Sequence, residues 1–167
     1  MSTHGLIKGA KVWAFGDYID TDVLAPGLYM KSSTEVIASH CLETVEPDFV
    51  KNVNKGDVIC AGKSFGIGSS REQAAQSLVF HGVAAVLAPS FGGIFYRNAI
   101  NHGLMILICP NARQINAGQH ISIDATAGSV CIQETGVQYS CEPMPQHLLV
   151  MLVDGGLVPH LQRRFAN

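Results

Sequence analysis

An α/β fold with a central, mainly parallel sheet, a βαβαβ core and extra β structure at each end is predicted by three features of the 167-residue sequence. Short apolar runs recur at residues 57–61, 83–89 and 104–109, as strands covered on both faces require. Between them lie two stretches of helical periodicity, each closed by a glycine. Beyond Pro110 the pattern changes to apolar–polar alternation between glycine turns, which predicts short antiparallel strands. Strand, helix, strand, helix and strand at this spacing imply parallel strands joined by right-handed crossovers.

Taken in order, residues 10–15, "AKVWAF", predict the first strand. The next stretch, "GDYIDTDVLAPGLYMKSS", carries too much Gly, Pro and Asp for a regular element and reads as a long polar loop. Ser32 and Glu35 fit a Ser-x-x-Glu capping box, so a helix is expected through "STEVIASHCL". "EPDFVKNV" adds a helical turn before the buried strand at 57–61. A glycine loop then leads into a helix over 70–81, with Ala74, Ala75, Leu78 and Val79 as its apolar face and Gly82 past its end. "VAAVLAP" is the next strand, "FGGIFYRNAINHG" a second helix with Phe91, Ile94 and Phe95 in the core, and "LMILIC" a third strand. "QHISIDATAGSVCIQETGVQYSCEP" supplies the antiparallel strands, and "PQHLLVMLVDGG" a closing helix. The pair Arg163-Arg164 reads as a solvated tail.

The bulk numbers exclude several classes of function. Apolar residues make up 47% and charged residues 14%, enough for a single packed core in one domain spanning 1–167. With 11 basic and 13 acidic residues, a net charge of -2 and no basic run, the chain is not built for nucleic acid or an anionic membrane. No apolar stretch reaches the roughly 20 residues that span a bilayer, and "MSTHGLIKGAKVW" lacks the basic and apolar segments of a leader. Five scattered cysteines, Cys41, Cys60, Cys109, Cys131 and Cys141, with no Cys-x-x-Cys, argue against disulfides and against a metal or iron–sulfur site held by this chain alone. A cytoplasmic protein with reduced, buried cysteines is expected.

The chemistry-bearing stretch is residues 63–80, "KSFGIGSSREQAAQSLVF". It is not a P-loop, because Asp57 stands where the first glycine would be. It is not a dinucleotide fingerprint, because Arg71 takes the third glycine's place, and no Gly-x-Ser-x-Gly elbow is present. Gly66 and Gly68 open a backbone path that brings a ligand close to the main chain. A helix beginning near Ser70 would present free N–H groups to an anion, and Arg71 a planar fork suited to a carboxylate. Two readings stay open on the residues alone: a small-anion site, or a serine-capped helix after a glycine turn with Arg71 solvated or paired with Glu72.

"GKSFGIGSSREQA" closely resembles the Gly-Ser-Ser-Arg-Glu-His-Ala motif of the aconitase superfamily's swivelling domain. "GDYIDTDVLAPGLYM" is similar to that family's Asp-Thr-Asp loop, and "APSFGGIFYRNAINHGL" to its Ser-Phe-Ala-Arg-Ile segment. The matches run in order from about residue 9 to residue 108, and the length resembles free-standing small subunits of the 3-isopropylmalate dehydratase and homoaconitase type. The resemblance implies a swivelling β/β/α domain and a hydro-lyase subunit. It also implies a large-subunit partner that carries a [4Fe-4S] cluster, with no cofactor bound by this chain. By position it implies that Ser69, as its alkoxide, removes the proton next to a substrate carboxylate, while Arg71 holds that carboxylate. A serine hydroxyl is a poor base at neutral pH, so nearby positive charge and N–H donors must stabilise its anion. Thr21 and Asp22 match residues lining the same site, with Gly68 and Ser70 beside them as binding residues.

Three departures from the motifs bear on substrate. Gln73 replaces the usual His, Gly92-Gly93 replaces Ala-Arg, and the stretch after Tyr29 carries Lys31. In the family a basic residue there goes with an extra substrate carboxylate and an apolar one with an alkyl group, so Lys31 keeps homoaconitate, a methylated malate, maleate and citraconate open beside isopropylmalate. A non-catalytic anion-binding module is the competing reading from another class, supported only by Gln73 and Gly93.

Other candidates have simpler expectations. Asp17, Asp20 and Asp22 could bind a cation, but Asp-rich turns more often cap their own backbone. His40 and Cys41 are adjacent and diverge on a helix, and His81 and His102 are placed to face helix C-termini. Arg97 could face the site or simply pack its stem on the surface.

Overall fold

The structure, a computed structural model, describes residues 4–166. Strand β1 (Leu6–Ala14) lies at the middle of a seven-stranded sheet. On one side it pairs in parallel with β2 (Val58–Cys60), then β3 (Ala85–Ala88) and β4 (Met105–Ile108). On the other it pairs antiparallel with β5 (His120–Asp124), followed by β6 (Ser129–Ile132) and β7 (Gln138–Ser140). The parallel half is the βαβαβ core expected from the apolar runs. The extra β structure continues the same sheet through β1, which starts four residues earlier than predicted and shifts register at Gly9, φ +63°.

Among the described residues seven helices surround the sheet: α1 (Thr21–Leu24), α2 (Thr34–Ser39), α3 (Phe49–Asn52), α4 (Gln73–Phe80), α5 (Gly93–Asn101), α6 (Gln146–Val153) and α7 (Leu157–Phe165). Alternation along the parallel strands divides the core. Ile59, Val86 and Ile106 pack with Leu24, Leu42, Phe49, Leu78 and Phe95 under α1 to α5. Val58, Leu87 and Leu107 turn to the opposite face, against Ile121, Val130 and Leu149. Each such side chain contributes about 1.5–3 kcal/mol by leaving water.

Several elements differ from the sequence reading. The capping residue of α2 is Ser33, whose hydroxyl accepts from the Val36 N–H at 3.3 Å, so the Ser32–Glu35 box is out of register by one. Helix α4 starts at Gln73 rather than near Ser70, leaving residues 69–71 outside regular structure. Its buried face is Ala74, Ala75, Ser77 and Leu78, while Val79 is 39% exposed. Ile94 is 55% exposed, because α5 turns Phe95, Ala99 and Ile100 inward. The first loop contains α1, capped by the Asp20 carboxylate on the Val23 N–H, and a 3-10 turn at Gly27–Tyr29. The Arg163-Arg164 tail belongs to α7, where Asp154 accepts from Arg163 Nη1 and pairs with His160 Nδ1, both at 2.8 Å. No helix among the described residues is long and apolar enough to cross a membrane.

Because Ala14 and Cys60 are register partners at the ends of β1 and β2, the two loops leaving those ends emerge side by side. That adjacency builds the site.

Candidate active site

Beyond the strands the two loops stay bonded. Gly62 N–H donates to Gly16 O at 3.0 Å, Tyr18 N–H to Lys63 O at 2.9 Å and Gly66 N–H to Ile19 O at 2.6 Å. Thr21 N–H then donates to Ile67 O at 2.8 Å, and Ser69 N–H to the hydroxyl of Thr21 at 2.9 Å. Thr21 is 2% exposed, so this last bond pins an exposed serine to a buried anchor. Gly68 allows the close approach: its φ is +115°, and a Cβ there would stand 2.9 Å from Thr21 Oγ1. Gly66, at φ +79°, would drive a Cβ to 2.2 Å from the Phe95 ring. The glycines therefore make a fixed path packed between α1 and α5.

Arg71 folds back across that path. Its Nη1 donates to Asp22 Oδ1 at 3.0 Å and to Ala25 O at 2.9 Å. The same carboxylate oxygen accepts the Gly27 N–H at 2.8 Å. That backbone donor, followed by the guanidinium, holds the Asp22 carboxyl below the usual carboxylate range. Of arginine's five N–H donors, those on Nη1 serve both protein bonds, and Nη2 and Nε lie outside them. The arrangement can fix an anion beside the exposed hydroxyls of Ser69 and Ser70.

Direct contacts thus join Thr21, Asp22, Gly68, Ser69 and Arg71. Ser70 is the next residue, its carbonyl accepting from Asn98 Nδ2 on α5 at 3.3 Å. Lys31 is exposed in the turn after the 3-10 segment and is not bonded to this group. Arg71 is neither free nor paired with Glu72, which removes the solvated-arginine alternative. Helix α4 begins two residues after Arg71, so its positive end would not be the main support of an anion held there.

Sequence reasoning missed the carbonyl of Ala25, the N–H of Gly27 and the amide of Asn98. Only the Asp20 cap offered a signal, an Asp three residues before Val23. Among the described residues no group of three or more His, Cys, Asp or Glu could hold a metal. Asp20 caps α1, Asp22 serves Gly27 and Arg71, and Asp17 serves Lys63 and Arg113. His40 pairs with Glu43 and stacks on Tyr29 at 3.6 Å, while His81 bonds the Ala38 carbonyl at 2.7 Å. Arg97 is exposed on α5, and burial pushes the Cys41 and Cys60 thiols well up.

Comparisons with known proteins converge on one family. Residues 9–112 match the Aconitase C-terminal domain model. The chain is 45% identical over 160 residues to the methanogen homoaconitase small subunit of Methanothermobacter thermautotrophicus, covering 94% of this chain and 91% of that one. It is 44% identical over 160 residues to 3-isopropylmalate dehydratase small subunit 1 of Thermotoga maritima, covering 95% and 96%. The crystal structure of 3-isopropylmalate dehydratase from Methanocaldococcus jannaschii superposes with a TM-score of 0.87 at 41% identity, covering 95% of both chains. With its glycine loop, its Asp-Thr-Asp loop and its sheet all matched, the chain belongs to the Aconitase C-terminal domain family.

Proposed function

We propose that this chain, acting as one swivelling unit over 1–167, is the small subunit of a cytoplasmic iron–sulfur hydro-lyase of the 3-isopropylmalate dehydratase type. The observation that supports it most is Ser69 anchored by its N–H to buried Thr21, beside an Arg71 held by Asp22 and Ala25. The relatives' small-subunit names support a large-subunit partner, which in this reading would carry the [4Fe-4S] cluster. This chain's residues do the acid–base and positioning work. Arg71 binds a substrate carboxylate through its free donors, and its charge favours the ionised form of Ser69. Ser69 takes the proton from the carbon next to that carboxylate, water leaves to give an alkene, and readdition gives the isomeric alcohol. Thr21, Asp22, Gly68 and Ser70 shape the floor.

Isopropylmalate is the default substrate, given the relatives named for it. Exposed Lys31 and the similarity to a homoaconitase small subunit favour a second reading: the same chemistry on homoaconitate, dimethylmalate, maleate or citraconate. The test is co-expression with a cognate large subunit, cluster reconstitution, and comparison of wild type with Ser69→Ala across these acids. Loss of turnover by about two orders of magnitude or more is expected, with assembly unchanged. Near-normal turnover in Ser69→Ala would falsify the base role.

A further inference from the structure

Asp17 and Arg113 take no part in the chemistry above, yet they stand where the two loops first meet. One oxygen of Asp17, Oδ1, accepts the Lys63 N–H at 3.0 Å and Arg113 Nη1 at 3.1 Å. Lys63 opens the glycine loop, Asp17 sits in the first loop, and Arg113 belongs to the 3-10 segment Ala112–Gln114 after β4. A single carboxylate oxygen therefore ties three chain segments together. Gly62 makes the fit possible: a Cβ there would fall 1.9 Å from Asp17 Oδ1 and 2.8 Å from the Asp17 backbone nitrogen.

The position in the ladder gives this clasp its consequence. The Lys63–Asp17 bond lies between the Gly62–Gly16 bond, which continues the β1–β2 register, and the Tyr18–Lys63 bond. The later rungs, through Ile19, Thr21 and Ile67 to Ser69, follow outward from there. The glycine loop is held on its other side as well, where Phe65 N–H donates to Ser90 O at 3.1 Å and Gly92 N–H to Phe65 O at 2.8 Å, so the Asp17 clasp bears on how the first loop is aligned to it.

We infer that Asp17, held by Arg113, is a positioning residue that keeps the first loop and the glycine loop in register and so aims Ser69. The inference rests on the function proposed above for its kinetic consequence alone; the structural consequence stands apart from it. Asp17→Ala removes the acceptor, Asp17→Asn keeps an oxygen for the Lys63 N–H but drops the charge, and Arg113→Ala leaves the Lys63 bond intact.

Two measurements test it. Amide hydrogen exchange on the full chain alone reads the ladder directly. Asp17→Ala raises exchange at Lys63, Thr21 and Ser69 at least about tenfold while β3 and β4 amides stay protected, and Asp17→Asn restores most of the protection. In the reconstituted complex, Asp17→Ala lowers kcat about 10- to 100-fold with little change in KM, as a misaimed base does, and Asp17→Asn recovers to within about threefold. Arg113→Ala falls between. Unchanged exchange at Ser69 in Asp17→Ala overturns the inference whatever the kinetics. Raised exchange with wild-type kcat overturns its catalytic part. A wild-type complex without hydro-lyase turnover sinks the proposed function instead, and leaves exchange to decide the positioning role.

Discussion

Thr21→Val removes one atom that the site depends on and little else. Thr21 is 2% exposed, and its hydroxyl is the acceptor for Ser69 N–H at 2.9 Å. Valine keeps the branched shape, so no cavity opens. The loss is one hydrogen bond, about 1 kcal/mol, rising to about 2 kcal/mol where the orphaned N–H is poorly served by water. The new methyl also crowds the Ser69 nitrogen, which stands 2.9 Å from the oxygen it replaces. For a chain of 167 residues this corresponds to a fall in Tm of about 2–8 °C. Turnover suffers more: a base displaced by about 1 Å costs up to about 100-fold in kcat. The assay pairs denaturant unfolding of the chain alone with kcat of the reconstituted complex, and includes Thr21→Ser, which keeps the hydroxyl and is expected to stay near wild type. A valine variant with wild-type midpoint and wild-type kcat refutes the claim that buried Thr21 holds Ser69.

Three further outcomes are expected. Gly66→Ala, with a Cβ 2.2 Å from the Phe95 ring and φ at +79°, loses about 3 kcal/mol or more, measured by the urea midpoint; a drop below about 1 kcal/mol contradicts the packing. The folded-state titration of Asp22 lies below the ordinary range, so its contribution is present in full above about pH 4 and is lost as pH falls through the lower folded value. Asp22→Asn is expected to flatten that acid limb slightly, since the carboxylate is 68% exposed, and an unchanged limb rejects the linkage. Lys31→Val, assayed on the substrate panel, shifts preference towards alkyl-bearing acids by about 1–3 kcal/mol if the ammonium reads a carboxylate, and no shift marks it a bystander.

The parallel half of the fold was legible because its strands are short, fully apolar and punctuated by glycines that cap helices. Gly82 and Gly103, at φ +77° and +83°, stand where those ends were read. Boundaries near the site were not legible, because tertiary bonds override local propensity there. Ser69 spends its N–H on Thr21 and Arg71 reaches back to α1, which keeps residues 69–71 out of α4. Helix α7 was hidden by Pro159 and two terminal arginines, though proline is tolerated in a first turn, and its Asp154 clasp joins residues six and nine apart. The ordered motifs single out Ser69, Arg71, Thr21 and Asp22, and the structure brings them together. Their mutual contacts, and the parts played by Ala25, Gly27 and Asp17, depend on chain segments about 50 residues apart or on backbone atoms that no side-chain letter announces.

On the proposed function, the ladder between the loops also bears on how this chain would meet a large subunit. Bonds from Gly62 to Ser69 make the two loops one stiff jaw, fixed to the ends of β1 and β2. If such a jaw closes on a large subunit as proposed, the spacing between Ser69 and Arg71 does not have to be found again at every turnover. The entropy of arranging those two groups is lost once, when the chain folds, and closure has only to set one rigid body against another.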